Sequence, residues 1–148
     1  MSLEKKVMTA MKTAMKNKDK DALRGLRAIK SAILLEKTSG SDKELDEEGE
    51  IKLLQKLIKQ RKDSISIYEE QGRDDLAKTE KEEIEVIQQF LPEQLSEEEL
   101  KGILQKIIDD TGASSMADMG KVMGRAMGEV KGRADGKTIS AMVKRLLG

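Results

Sequence analysis

DMGKVMGRAMGEVKGRADGKTIS, Asp118 to Ser140, sets glycine at every fourth position: Gly120, Gly124, Gly128, Gly132 and Gly136. Met116, Met119, Met123 and Met127 interleave with them, and Lys121, Arg125, Lys131, Arg133 and Lys137 fill much of the rest. At about 100° per residue, Met116, Met119, Met123, Met127 and Val130 form one narrow helical stripe. Lys121 and Arg125 lie roughly opposite, with the glycines running between the two faces. Each interior glycine destabilises such a helix by roughly 0.5–1 kcal/mol relative to alanine. Two arrangements can offset that cost at Gly120, Gly124 and Gly128. A neighbouring helix can pack against the bare strip, which is the more general use of such spacing. Alternatively, a phosphate backbone can lie on it, held by the flanking cations. The methionines are expected in the core, which the chain must fill with methionine and aliphatics because Tyr68 and Phe90 are its only aromatic residues.

Working outward, this helix is one of three. Ser115 with Asp118 opens it, and Asp135 is placed to cap the helix that follows, where Ile139, Met142, Val143, Leu146 and Leu147 recur at helical spacing. Upstream, Ser96 and Glu99 make a capping box, Leu95 can staple to Leu100, and Gly112 is a stop. Between them Leu100, Ile103, Leu104, Ile107 and Ile108 repeat the same pattern. Two such stripes can clasp the methionine stripe. The sole proline, Pro92, cannot continue a preceding helix, so it marks a boundary between a domain at 1–91 and a domain at 92–148.

The first 91 residues read as about four helices. Leu3 to Lys16 has an apolar side of Leu3, Val7, Met11, Ala14 and Met15. Asp21 to Lys37, capped by Asp19 or Asp21, buries Leu23, Leu26, Ile29, Ile33 and Leu34. Beside that face Arg24, Arg27 and Lys30 form a basic row, read as solvated surface. Glu44 to Gln71 carries Ile51, Leu54, Leu57, Ile58, Ile65 and Tyr68, and Gly72 ends it. Arg73 to Phe90 carries Leu76, Ile84, Ile87 and Leu91. Arg61 interrupts the first of these two stripes, and Glu80 and Glu83 the second. Helices joined by so short a turn pack antiparallel, so Arg61 is expected to pair with Glu80 or Glu83 in a semi-buried ion pair. No run has the period-2 pattern of a strand, and the fold class is all-α.

Composition narrows the chemistry. The chain has neither cysteine nor histidine, which removes disulfides, thiolate nucleophiles, imidazole bases and the usual zinc ligands, so no cofactor or metal is expected. No signal peptide or long apolar run is seen, and a cytoplasmic protein with no membrane partner is the expectation. The zero net charge hides an asymmetry. Residues 93–118 hold seven acidic and two basic residues, whereas 119–148 hold seven basic and two acidic, which leaves a basic face for an anionic partner.

QRKDSI at Gln60 to Ile65, Tyr68, GRDDLA at Gly72 to Ala77, Glu80, Glu83 and FLPEQLSEEEL at Phe90 to Leu100 resemble the N-terminal motifs of YqeY-like proteins. GASSMADMGKVMG at Gly112 to Gly124 and KGRADGK at Lys131 to Lys137 resemble the C-terminal ones. This GatB/YqeY family shares a helical region with the tail of the GatB subunit of the tRNA-dependent amidotransferase, which makes the amide on misacylated tRNA with glutamine as nitrogen donor. The resemblance implies a multihelical N-terminal domain, a three-helix C-terminal domain and, by analogy with the tail, contact with tRNA. It also carries the family label of carbon–nitrogen ligase with glutamine as amido-nitrogen donor, and amidotransferase or synthetase components as partners. The residues themselves offer no cysteine, no serine–lysine constellation and no GxxxxGK[ST] loop for such a reaction. The expected nucleic-acid-binding set is Lys121, Gly124, Arg125, Gly128, Lys131, Arg133 and Lys137, meeting structured RNA by charge and shape. A protein–protein adaptor built on the methionine-rich helix is the alternative.

Overall fold

Seven α-helices and no strand occur among the described residues, 2–39 and 45–148, of the computed structural model. They fall into two units, Met1–Leu91 and Pro92–Gly148.

In the first unit α1 spans Leu3–Lys16, α2 Lys20–Thr38, α3 Glu47–Glu70 and α4 Asp74–Gln88. Asp19 caps α2 through the Ala22 N–H at 3.1 Å, and Asp46 caps α3 through the Gly49 N–H at 2.7 Å. The expected start of α3 at Glu44 lies outside the described residues. The chain leaves α3 through Gly72, whose φ of +71° suits glycine, and re-enters as the antiparallel α4. Residues 89–91 turn away from α4, so that helix ends at Gln88, short of Phe90. The core gathers Leu3, Val7, Leu23, Leu26, Ile29, Ile33, Leu54, Ile58, Ile84 and Ile87 from all four helices. Two residues assigned to this core are exposed: Leu34 on α2 and Met15 on α1. Each sits at the edge of its stripe, away from the buried residues of its helix. Gly25, not singled out by spacing, is the packing glycine of this unit. A Cβ built there would fall 2.8 Å from Cβ of Val86, so α2 and α4 approach almost backbone to backbone.

In the second unit α5 spans Glu97–Thr111, α6 Met119–Val130 and α7 Gly136–Leu147. The capping box closes as read. Ser96 Oγ accepts from the Glu99 N–H at 3.1 Å, and Glu99 accepts from the Ser96 N–H at 3.3 Å. The Ser96 hydroxyl, and then the Ser96 N–H, hold the Glu99 carboxyl below its ordinary range. Gly112, at φ +69°, ends α5. A 3-10 turn at Met116–Asp118 then leads into α6, and Asp135 caps α7 through the Thr138 N–H at 2.7 Å. Leu100, Leu104, Ile107 and Ile108 of α5 and Ile139, Met142, Val143 and Leu147 of α7 close on α6.

What they close on differs from the methionine stripe. The buried residues of α6 are Val122, Ala126 and Val130, with Met119 and Met123 only partly covered. Met116 and Met127 are 45% and 50% exposed. The buried arc is thus turned by roughly 60° about the helix axis from the stripe that the methionines suggest. Alanine and valine let α5 and α7 come close at the centre, and the longer methionines are left to the margin.

Candidate nucleic-acid interface

That rotation decides what α6 shows to solvent. With Val122, Ala126 and Val130 inward, Gly124 and Gly128 fall at the outer pole, with Lys121 beside them on one flank and Gly120 on the other. All three glycines are exposed, and beyond the local helix backbone and chain neighbours a Cβ added to any of them would meet no described atom within 4 Å. The helix-packing reading of Gly120, Gly124 and Gly128 is therefore corrected within this unit, because neither α5 nor α7 covers them. Two and a half turns of bare backbone face outward.

Cations edge the strip. Lys121 is exposed, and its charge helps the Ser114 and Ser115 N–H bonds to hold the Asp118 carboxyl below its ordinary range. Arg125 is exposed, with Glu129 one turn on at 3.7 Å, a pair of the solvent-screened kind. Lys131 ends α6 at φ +47°, a left-handed conformation that costs a residue with a side chain about 1 kcal/mol. Lys137, on the first turn of α7, is exposed as well.

Arg133 has different surroundings. It is half-buried, its Nε donates to the carbonyl of Glu93 at 3.1 Å, and its own carbonyl accepts from the Leu95 N–H at 2.8 Å. With Gln94 donating to the Gly132 carbonyl at 3.0 Å, it laces the α6–α7 loop to the segment before α5. Lys144 is exposed, whereas Arg145 reaches Glu97 at 3.2 Å.

A second constellation lies in the first unit. Arg61 Nε stands 2.9 Å from Glu83 Oε2 and 4.0 Å from Glu80. The other oxygen of Glu83 takes Arg24 Nε at 3.0 Å, while Arg24 also reaches Glu82 at 3.0 Å and Asp21 at 3.2 Å. Arg61 spends a further N–H on the Leu57 carbonyl of its own helix. Burial, and then the charge of Glu83, raise the Glu80 carboxyl above its ordinary range. Sequence reasoning placed Arg24 on a solvated row. Its link to a glutamate 59 residues away leaves no local trace, apart from the fact that α2 carries a glycine at Gly25 where α4 must come close. Both guanidinium groups bond carboxylates of α4, so the constellation ties three helices together. Among the described residues no three aspartate, glutamate, histidine or cysteine side chains are grouped to hold a metal ion.

The model of the Yqey-like protein family matches residues 4–147. The chain belongs to that family. Similar proteins among the fungi carry the name "Altered inheritance of mitochondria protein 41, mitochondrial". The one from Kluyveromyces lactis is 31% identical over 118 residues, which is 78% of this chain and 64% of the relative. The one from Vanderwaltozyma polyspora is 34% identical over 102 residues, 68% of this chain and 55% of the relative. The one from Candida glabrata is 38% identical over 84 residues, 56% of this chain and 46% of the relative. The YqeY-like chain thus spans about half to just under two thirds of these relatives. Among its described residues no helix is long and apolar enough to cross a membrane.

Proposed function

We propose that this YqeY-like protein is a tRNA-associated module that binds structured RNA on the outer face of α6. The observation that carries the reading is the open strip at Gly120, Gly124 and Gly128. Three glycines on an exposed helix face cost roughly 0.5–1 kcal/mol each, and neither α5 nor α7 packs against them in return. A partner that must approach the backbone itself gives that cost a purpose. Lys121, Arg125 and Lys131 beside the strip select an anionic partner, with Lys137 extending the charge onto α7. The basic half has no aromatic side chain on which bases could stack, so contacts go to phosphate and sugar, and double-stranded or folded RNA is favoured over single strands. In this reading Arg133 sets the loop that presents Lys131, and Gly124 and Gly128 are the points of closest approach.

The carbon–nitrogen ligation that the amidotransferase resemblance implies, with glutamine as nitrogen donor, belongs here to a partner enzyme. This chain holds the RNA beside that amidotransferase or synthetase in the cytoplasm. The test is titration of a tRNA transcript into the full chain at several salt concentrations. Several phosphate contacts give a log–log slope of about 0.7–0.9 per contact, and Arg125→Glu with Lys131→Glu should abolish most of the binding. Binding that ignores both salt and the double substitution removes the reading.

The protein–protein adaptor is retained as a second reading because Met116 and Met127 are half-exposed on the flank of the strip opposite Lys121. Capture from lysate with and without nuclease separates the two. A partner lost with nuclease supports RNA, and one that stays supports the adaptor.

A further inference from the structure

The cations of α1 belong to no site described so far. Between Lys5 and Lys18 the chain has five lysines and no acidic residue. All five are exposed, and none of their ammonium groups is paired with a carboxylate among the described residues. The carboxylates nearest in sequence are committed elsewhere: Glu4 to Lys37 of α2, Asp19 to the Ala22 N–H as a cap, and Asp21 to Arg24. Lys5, Lys12 and Lys16 fall within roughly 40° of one another on the helix, opposite the buried Leu3, Val7 and Ala14. The row they form is about 16 Å long. Thr9 and Thr13 lie alongside, with their hydroxyls turned to the carbonyls of Lys5 and Thr9, so they compete for nothing outside.

We infer that this outer face of α1 is a second surface for the phosphate backbone of structured RNA. The inference rests on the reading that the chain binds RNA, though not on the α6 strip. Charge complementarity argues for a polyanion. A membrane surface fits less well, because a helix lying on a bilayer needs a free apolar face, and α1 gives its own to the core, leaving only Met8 and Met15 exposed.

The experiment titrates a tRNA transcript into the full-length chain and into Lys5→Gln/Lys12→Gln/Lys16→Gln, across a salt series. Glutamine matches lysine in helix propensity, and unchanged circular dichroism and thermal melting verify the fold. A charge-matched control, Lys52→Gln/Lys56→Gln/Lys59→Gln on α3, removes the same charge from another helix. The α1 triple should bind about tenfold more weakly at 0.1 M salt, with the log–log slope reduced by about 2–3 units, while the control stays near wild type. An unchanged slope, or an equal loss in the control, overturns the inference. If the α1 triple loses binding and Arg125→Glu/Lys131→Glu does not, the α6 reading falls and the α1 surface stands; the reverse result removes α1 alone. A wild-type chain that ignores RNA but adsorbs to phosphatidylserine–phosphatidylcholine vesicles through these lysines overturns both.

Discussion

Glu83 stands between two arginines, taking Arg61 on one carboxylate oxygen at 2.9 Å and, on the other at 3.0 Å, the guanidinium of Arg24. Its side chain is 13% exposed and that of Arg61 15%, so neither charge can fall back on bulk water if the other is lost. One residue of α4 thereby fixes both α2 and α3. Glu83→Gln replaces one oxygen with an amide N–H₂, which turns a donor toward one of the guanidinium groups. The substitution should cost about 2–3 kcal/mol, below the range for fully buried pairs because Arg24 keeps partial access to water. Urea unfolding measures it. In a double-mutant cycle, Arg61→Met should cost less in the Glu83→Gln background than in wild type, with a coupling of about 1 kcal/mol or more. Additive effects would mean that the two groups do not depend on each other.

The approach of α2 to α4 depends on a missing side chain. A methyl group at Gly25 would meet Val86 at 2.8–3.3 Å, and both the Cβ and the branched carbons are fixed to α4. Gly25→Ala should therefore destabilise the first unit by about 1–3 kcal/mol in spite of alanine's better helix propensity. Adding Val86→Ala should recover much of the loss. A melting temperature that rises on Gly25→Ala alone is incompatible with this packing.

Glu80 gives a pH dependence of definite sign. Burial and the neighbouring Glu83 raise its carboxyl above the ordinary 4.5, with Arg61 and Arg24 offsetting only part of the effect. The folded chain thus holds this proton more tightly than the unfolded one, and stability is lost as pH rises through the interval above 4.5. Glu80→Gln should stabilise the protein at pH 7, and its advantage should shrink toward pH 4. A variant that is less stable than wild type at pH 7 would show that Glu80 works mainly as a partner of Arg61.

The all-α fold was legible because its signals are local. Ser96 and Glu99 close a box within one turn, Gly72 and Gly112 take left-handed stops, and the helical period of α1 to α7 is carried by aliphatic residues. The facing of α6 was less legible. Methionine and alanine both fit an apolar stripe, and only the packing of α5 and α7 against α6 decides that Ala126 goes in and Met127 stays out. Spacing marks where glycines stand, and it is silent on what lies against them. Gly25, alone on its helix, meets Val86, while among the described residues nothing packs against the regular series Gly120, Gly124 and Gly128. Arg24 was misread for a related reason, since Glu82 and Glu83, two of its three carboxylate partners, come from a helix that begins 50 residues later.

If the exposed glycines of α6 serve a partner outside the chain, one pair of substitutions sets stability against binding. Gly124→Ala with Gly128→Ala adds two methyl groups into open space, so the helix should gain about 1–2 kcal/mol and melt at a higher temperature. The same protein should bind the tRNA transcript markedly more weakly, with Lys121, Arg125 and Lys131 untouched. A protein that is both more stable and undiminished in RNA binding would contradict the claim that the strip is kept bare for a phosphate backbone.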